Sequence, residues 1–163
     1  MPKFLFAVTE GFDKDTYFPK KATPLSTGYD VKAALKEPLT IKPGTYHKIP
    51  LGFRVMCPEN WWLELKPRSS TFAKKHLNCL YGTIDCDFEG TLLLACQYLP
   101  DVNDLGKCLV IEPGEAIGQI IPVKIKTVEF DCVSNEELNE RFSNRKSLLK
   151  TVRGSGGFGS TLK

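Results

Sequence analysis

Between Gly82 and Gly90 the chain carries three acids in five positions, Asp85, Asp87 and Glu89. Such clusters are commonly solvated turns, but here Asp85 follows the apolar Ile84 and Phe88 stands three residues on. A semi-buried aspartate in that setting can orient a water molecule and take its proton, the general-base role. A further acid, Asp30, lies in Gly28-Tyr29-Asp30-Val31 at the mouth of a candidate strand. Lys66-Pro67-Arg68-Ser69-Ser70 offers one guanidinium fork and two hydroxyls, a set suited to phosphate oxygens and equally to an exposed polar turn. Near the C-terminus, Arg153-Gly154-Ser155-Gly156-Gly157-Phe158-Gly159-Ser160-Thr161 holds four glycines in nine residues. Glycines let backbone N–H groups approach phosphates closely, arginine forks to oxyanions, and a central phenylalanine can cover a flat base. This tail reads as a nucleotide-binding flap or as a linker.

These residues need elements to position them, and the first 130 residues consist of short apolar or alternating segments separated by turn signals. The pattern predicts strands over Lys3–Val8, Tyr29–Ala34, Tyr46–Cys57, Trp61–Lys66, Thr91–Tyr98, Lys107–Ile111 and Ile117–Lys126. Pro43-Gly44, Pro58-Glu59-Asn60 and Pro113-Gly114 mark turns, and the alternation slips at Gly52. Many short strands spaced in this way indicate an all-β barrel or sandwich. One segment departs from it. Ser134 and Glu137 form a capping-box pattern, Leu138, Phe142 and Leu149 recur near helical spacing, and Glu137 and Arg141 stand four apart. A helix over 135–149 is expected, as a docking element or lid, or as an insertion packed on the surface.

Composition narrows the function classes. A chain of 163 residues fits one domain and can bury roughly 70% of its unfolded surface, so it needs no disulfide or metal to fold. The net charge of +3 is too small to announce a nucleic acid or membrane partner. Only two histidines are present, His47 and His76, which argues against a multi-histidine metal site and leaves carboxylates as the candidate catalytic groups. The six cysteines, Cys57, Cys79, Cys86, Cys96, Cys108 and Cys132, contain no C-x-x-C pair. With no secretion signal or membrane-length apolar run, the chain is read as cytoplasmic (the host cell interior for a viral source), its cysteines reduced and mostly in core or strand positions.

Five motifs in order give these features a common frame: Ser26–Ala34, Pro67–Ser70, Gly82–Gly90, Pro113–Ile121 and the tail from Arg153 to Thr161. Through them the chain resembles the homotrimeric all-β deoxyuridine triphosphatase (dUTPase) family, over about residues 24–163. The resemblance implies a distorted jelly-roll β-barrel core at 1–130, a helical insertion at 131–150 and a glycine-rich flap at 151–163. It also implies hydrolysis of dUTP to dUMP and pyrophosphate with Mg2+, by water attack on the α-phosphorus. Asp85 matches the residue that activates the water, and Asp30 the one that holds the hydrated metal. Arg68, Ser69 and Gln119 match phosphate-contacting positions, with Ser70 beside them. Phe88 falls where the family places an aromatic, usually tyrosine, under the deoxyribose. Phe158 would stack on the base while Arg153, Ser160 and Thr161 close over the phosphates. Each site would draw its motifs from three subunits.

The sequence also departs from the family pattern. Ser70 stands where glycine is usual and Ala116 where arginine is frequent. Cys79 occupies a position at which bacterial members commonly read the uracil edge with asparagine. The expected base-recognition hairpin, Cys79-Leu80-Tyr81-Gly82-Thr83-Ile84, would then read uracil through the main chain of Gly82, Thr83 and Ile84, through Asn78 after a one-residue slip, or would take a modified pyrimidine. The alternatives are a dCTP deaminase, which shares the fold and an Arg-Ser-Ser element, and a dUTPase-like protein-binding module. The deaminase needs a glutamate ten residues beyond Asp85, where this chain has Ala95.

Overall fold

The computed structural model describes residues 2–149, so the expected flap residues Arg153, Phe158, Ser160 and Thr161 lie outside the described part. The chain divides into two compact units, the first ending at Lys126. The first unit is built of eleven short strands: β1 (Leu5–Val8), β2 (Tyr29–Lys32), β3 (Leu39–Ile41), β4 (Tyr46–Pro50), β5 (Phe53–Met56), β6 (Trp61–Pro67), β7 (Leu77–Cys79), β8 (Gly82–Ile84), β9 (Leu93–Tyr98), β10 (Leu109–Ile111) and β11 (Ala116–Lys124). Two short helices interrupt them, α1 (Lys14–Tyr17) and α2 (Ser69–Ala73). All strand pairs are antiparallel. They form a four-stranded sheet in the order β2-β11-β6-β8, a three-stranded sheet β4-β9-β7, and the pairs β1-β5 and β3-β10. This is the all-β architecture expected from the strand spacing, jelly-roll-like as the family resemblance implies.

Inward-facing residues of all these sheets meet in one core. Val31, Ile41, Ile49, Leu51, Phe53, Leu63, Leu65, Leu77, Leu94, Ile111, Ile117 and Ile120 are buried there. The alternation along β5 (Phe53 and Val55 in, Arg54 and Met56 out) and along β9 (Leu94, Cys96 and Tyr98 in) is the half-buried strand pattern of a sheet with one wet face. Among the described residues no helix is long and apolar enough to cross a membrane.

The expected single strand over Tyr46–Cys57 is two strands. β4 pairs with β9 and β5 with β1, and Gly52 turns the chain between them at φ +76°. The slip in alternation at Gly52 marks this corner. Lys66–Ser70, read as a turn, runs from the end of β6 into α2, and β3, β7 and β8 lie outside the segments whose pattern predicts strands. The cysteines are all free, but Cys86, Cys108 and Cys132 are exposed, so only half of the six occupy the buried or half-buried positions expected for them.

In the second unit, α3 spans Asn135–Leu149, the bounds the sequence predicts. Ser134 Oγ accepts the Glu137 N–H at 3.1 Å, half of the capping box. The Glu137 carboxylate does not return to the cap; it pairs with Arg141 one turn on, at 2.6 Å. None of its side chains is buried.

Gly52 generates a prediction. A Cβ at this position would lie 2.6 Å from that of Ala34, on a backbone conformation that L-residues rarely adopt. Gly52→Ala is expected to lower the unfolding free energy by about 1–3 kcal/mol, read by urea denaturation.

Candidate functional site

The four-stranded sheet sets the site. Gln119 on β11 lies directly opposite Asp30 on β2 and directly opposite Lys66 on β6. Directly opposed residues of antiparallel strands share a face, so these three polar side chains form a row across the sheet. Their neighbours Val31, Ile120 and Leu65 point the other way into the core. The Asp30 backbone is fixed on its second edge as well, because its N–H donates to Lys20 O at 2.8 Å.

Arg68 follows the end of β6 in extended conformation and reaches back over this row. Its Nε lies 3.3 Å from Asp30 Oδ1. Both side chains are about a third exposed, so the pair orients the guanidinium more than it stabilises the fold. Gln119 Nε2 donates to Pro67 O at 3.3 Å, tying β11 to the residue before Arg68. Gly28, which is buried, leaves the room this requires, because a Cβ there would fall on the Gln119 carboxamide. Lys66 pairs with Glu64 at 2.9 Å and stands 5.6 Å from the centre of the Tyr81 ring. Ser69 is exposed and Ser70 half-buried at the start of α2. One polar face thus gathers Asp30, Arg68, Gln119 and Lys66, with Ser69 and Ser70 next in the chain after Arg68, a set that can grip an oxyanion and leave a carboxylate beside it.

Asp85 and Phe88 are not brought to this face by their own chain. β8 and β2 are the two outer strands of the sheet, three strand spacings or about 14 Å apart. Ile84 is opposite Leu63, four residues from Pro67, which is about 13 Å along β6. Asp85 lies one step further from Arg68. It is exposed rather than semi-buried, at the start of a turn closed by the Phe88 N–H on Asp85 O at 3.2 Å. Phe88, 43% exposed, borders an open groove of about 410 Å³ lined also by Leu5, Ala7, Arg54, Met56 and Cys86.

The expected hairpin at 79–84 is instead a corner between two sheets. β7 pairs with β9 and β8 with β6, so the chain changes partner at Leu80 and Tyr81. The Leu80 N–H still donates to Ala95 O, and by Gly82 the strand has joined the other sheet. Cys79 lies directly opposite Cys96 at a pair of positions that exchange no ladder hydrogen bonds. Its hydrogen bond with Cys96, and then burial, push its thiol well above the ordinary cysteine range, so Cys79 presents a neutral S–H. Asn78, one residue earlier in the strand, points to the opposite face. Gly82, Thr83 and Ile84 keep β6 on one side only, which leaves main-chain groups of this edge strand available to a ligand.

Among the described residues no group of three or more His, Cys, Asp or Glu side chains could cage a metal ion. Reasoning from sequence did not mark Gly28, Lys66 or Thr71 as part of the site. Gly28 and Lys66 lie inside motifs already singled out, but their roles depend on cross-strand register. Thr71 follows two serines, and nothing in the spacing separates a buried hydroxyl from two accessible ones.

The fold is an antiparallel all-β architecture with a polar row of donors beside a carboxylate on one sheet face, and comparison with known proteins places the chain in a family. The family model for dUTPase matches residues 14–162. A deoxyuridine 5'-triphosphate nucleotidohydrolase of Fusobacterium nucleatum is 36% identical over 147 residues, covering 89% of each chain. The crystal structure of dUTPase from Streptococcus mutans superposes with a TM-score of 0.66 at 25% identity, covering 77% of this chain and 98% of that one. A mutant dUTPase of phage phi11 of S. aureus, which coordinates a structural Mg(II) ion, has the same fold at a TM-score of 0.66 and 20% identity, over 82% and 97% of the two chains. The chain belongs to the dUTPase family.

The Gly28–Gln119 contact can be tested directly. Gly28→Ala is expected to turn the Gln119 carboxamide away from Pro67 O, at a cost of about 1 kcal/mol. The Gln119 side-chain amide signals in a 15N–1H spectrum would shift; unchanged signals would mean that the position has room for a methyl group.

Proposed function

We propose that this chain is a dUTP pyrophosphatase, an enzyme hydrolysing dUTP to dUMP and pyrophosphate. The observation that carries the proposal is the convergence of Asp30, Arg68 and Gln119 on one sheet face in a chain of this family. Water attacks the α-phosphorus, its proton passes to Asp85, and the bond to the bridging oxygen breaks so that pyrophosphate leaves. Arg68, Ser69, Ser70 and Gln119 hold the phosphates and stabilise the negative charge that builds up on them. Phe88 packs under the deoxyribose, where a 2′-hydroxyl would collide with the ring. The main chain of Gly82, Thr83 and Ile84 reads the uracil edge, with the Cys79 thiol behind it. Arg153, Phe158, Ser160 and Thr161 close over the bound nucleotide and exclude water. In domain terms, 1–130 is the barrel core, 131–150 an insertion and 151–163 the flap. The setting is the cytoplasm.

Mg2+ suits this donor set. It keeps several waters and binds through one or two carboxylates plus substrate phosphates, not in a protein cage. A single half-buried Asp30 with Arg68 on one of its oxygens fits a hydrated ion carried on the triphosphate. Bound magnesium supplies charge neutralisation at the phosphoryl oxygens.

The separation of Asp85 from Arg68 within one chain supports a homotrimer whose sites are shared. One subunit contributes Asp85 and Phe88 while another contributes Asp30, Arg68 and Gln119. Two predictions test these assignments. In a panel of deoxynucleoside triphosphates with magnesium, pyrophosphate release is expected from dUTP, and no release from dUTP would end the proposal. Ammonia release from dCTP would favour the deaminase reading. Asp85→Asn and Arg68→Ala are each expected to be nearly inactive. Mixed in equal amounts and reassembled, they should recover roughly one quarter of wild-type activity if Asp85 and Arg68 of a site come from different subunits, and none if they come from one.

A further inference from the structure

Thr71 is buried, with 1% of its surface exposed, and is the one polar residue in the core among the described residues. Its Oγ1 donates to Ile117 O at 2.7 Å, a bond between residues 46 positions apart. Ile117 is where β11 slips register against β2: Ala116 pairs with Lys32, Gly118 pairs with Val31, and Ile117 is the extra residue. The pairing of β11 with β6 also begins only at Gly118. Ile117 is fully buried, so its carbonyl is cut off from water. The Arg68 N–H, one step beyond the Gly118–Pro67 pair, also reaches it, at a long 3.5 Å. A buried carbonyl needs a partner, and the Thr71 hydroxyl is the strong one.

That bond joins the two halves of the phosphate-gripping face. Ile117 stands two residues before Gln119, and Thr71 three residues after Arg68. The Thr71 N–H in turn donates to Arg68 O at 3.0 Å, which closes the segment on itself. Lys75, two residues beyond α2, makes a second tie to Glu115 on the other side of the bulge.

We propose that Thr71 is a positioning residue for dUTP hydrolysis. Its hydroxyl holds the buried carbonyl of the bulge residue Ile117 and thereby sets Arg68 and Ser69 against Gln119. The inference rests on the dUTP reading above for its catalytic consequence, and on the hydrogen bond alone for its structural one.

The test compares Thr71→Val, which keeps the shape and loses the hydroxyl, with Thr71→Ser, which keeps the hydroxyl and loses the methyl. The full chain is used, with dUTP and magnesium. Thr71→Val is expected to lose about 10- to 100-fold in kcat/KM, as small misplacements of phosphate-binding groups do, while Thr71→Ser stays within about three-fold of wild type. In an Arg68→Ala background, Thr71→Val should cost much less, because it acts through the segment that Arg68 heads. Wild-type kcat and KM in a Thr71→Val protein that only melts earlier would overturn the proposal, as would an undiminished penalty without Arg68. If Thr71→Val fails to fold, Thr71→Ser against Thr71→Ala decides, since both lack the methyl and only the first has the hydroxyl; equal kinetics overturn the proposal. Amide hydrogen exchange at 69–72 gives a readout independent of activity. It should accelerate in Thr71→Val and Thr71→Ala but not in Thr71→Ser, and unchanged exchange also overturns the proposal. A wild-type chain that leaves dUTP intact would defeat the dUTP reading, and the exchange rates would then still decide the role of Thr71.

Discussion

The pairing of β11 with β6, seven residues long from Gly118–Pro67 to Lys124–Trp61, is the contact on which the rest of the structure depends. It puts Ile120 and Leu65 into the core and, by the two-residue period of strands, sends Gln119 and Lys66 to the opposite face. Because β2 joins the other edge of β11, Asp30 falls into the same row without any direct bond to Gln119. Polar residues from three distant parts of the sequence thus become neighbours through backbone register alone. A slip of one residue would exchange the polar row for the apolar one.

Where that pairing ends, the geometry changes character. Up to Pro67 the positions are fixed by ladder hydrogen bonds; from Arg68 onward the chain enters α2, a helix of five residues that is too short to hold itself. Its attachment comes from the bulge residue Ile117, whose buried carbonyl accepts the Thr71 hydroxyl, and from the Gln119 bond to Pro67 O. A local defect in one strand thereby becomes the anchor for the segment bearing Arg68, Ser69 and Ser70. The guanidinium is left partly exposed and able to exchange Asp30 for a ligand, while the backbone beneath it is tied down.

The legibility of this arrangement from sequence followed the range of the interactions involved. The α3 bounds were readable because a cap, an i,i+4 ion pair and a helical period are all local; the Ser134 cap on the Glu137 N–H and the Glu137–Arg141 pair form as expected, while the return half of the capping box does not. The strands of the sheet were readable wherever apolar alternation continued. Gly52 was legible only as a slip, since choosing between a bulge and a corner requires knowing that β5 pairs with β1 and not with β9. The same limit hid the corner at Leu80–Tyr81, where a run that looks like one arm of a hairpin is divided between two sheets. Arg68, Gln119 and Asp30 could be singled out by residue type and motif, whereas Thr71 and Gly28 act through contacts that no neighbouring residue announces.

In the proposed site, side chains and exposed strand backbone divide the recognition of the nucleotide between them. Phosphates are charged, alike from one nucleotide to the next, and best met by side chains with forked or hydroxyl donors; Arg68, Ser69 and Ser70 offer these just beyond the end of β6. A pyrimidine edge is flat and neutral, and must be told apart by the order of its donors and acceptors, which an unpaired strand edge matches with fixed main-chain groups at little cost in side-chain entropy. The edge strand β8, paired on one side only, supplies such groups at Gly82, Thr83 and Ile84. On this reading Cys79 need not replace the hydrogen-bonding of an asparagine. Opposite Cys96 in the sheet and donating to Leu77 O at 3.7 Å, the Cys79 thiol leaves base reading to the main chain of the strand edge.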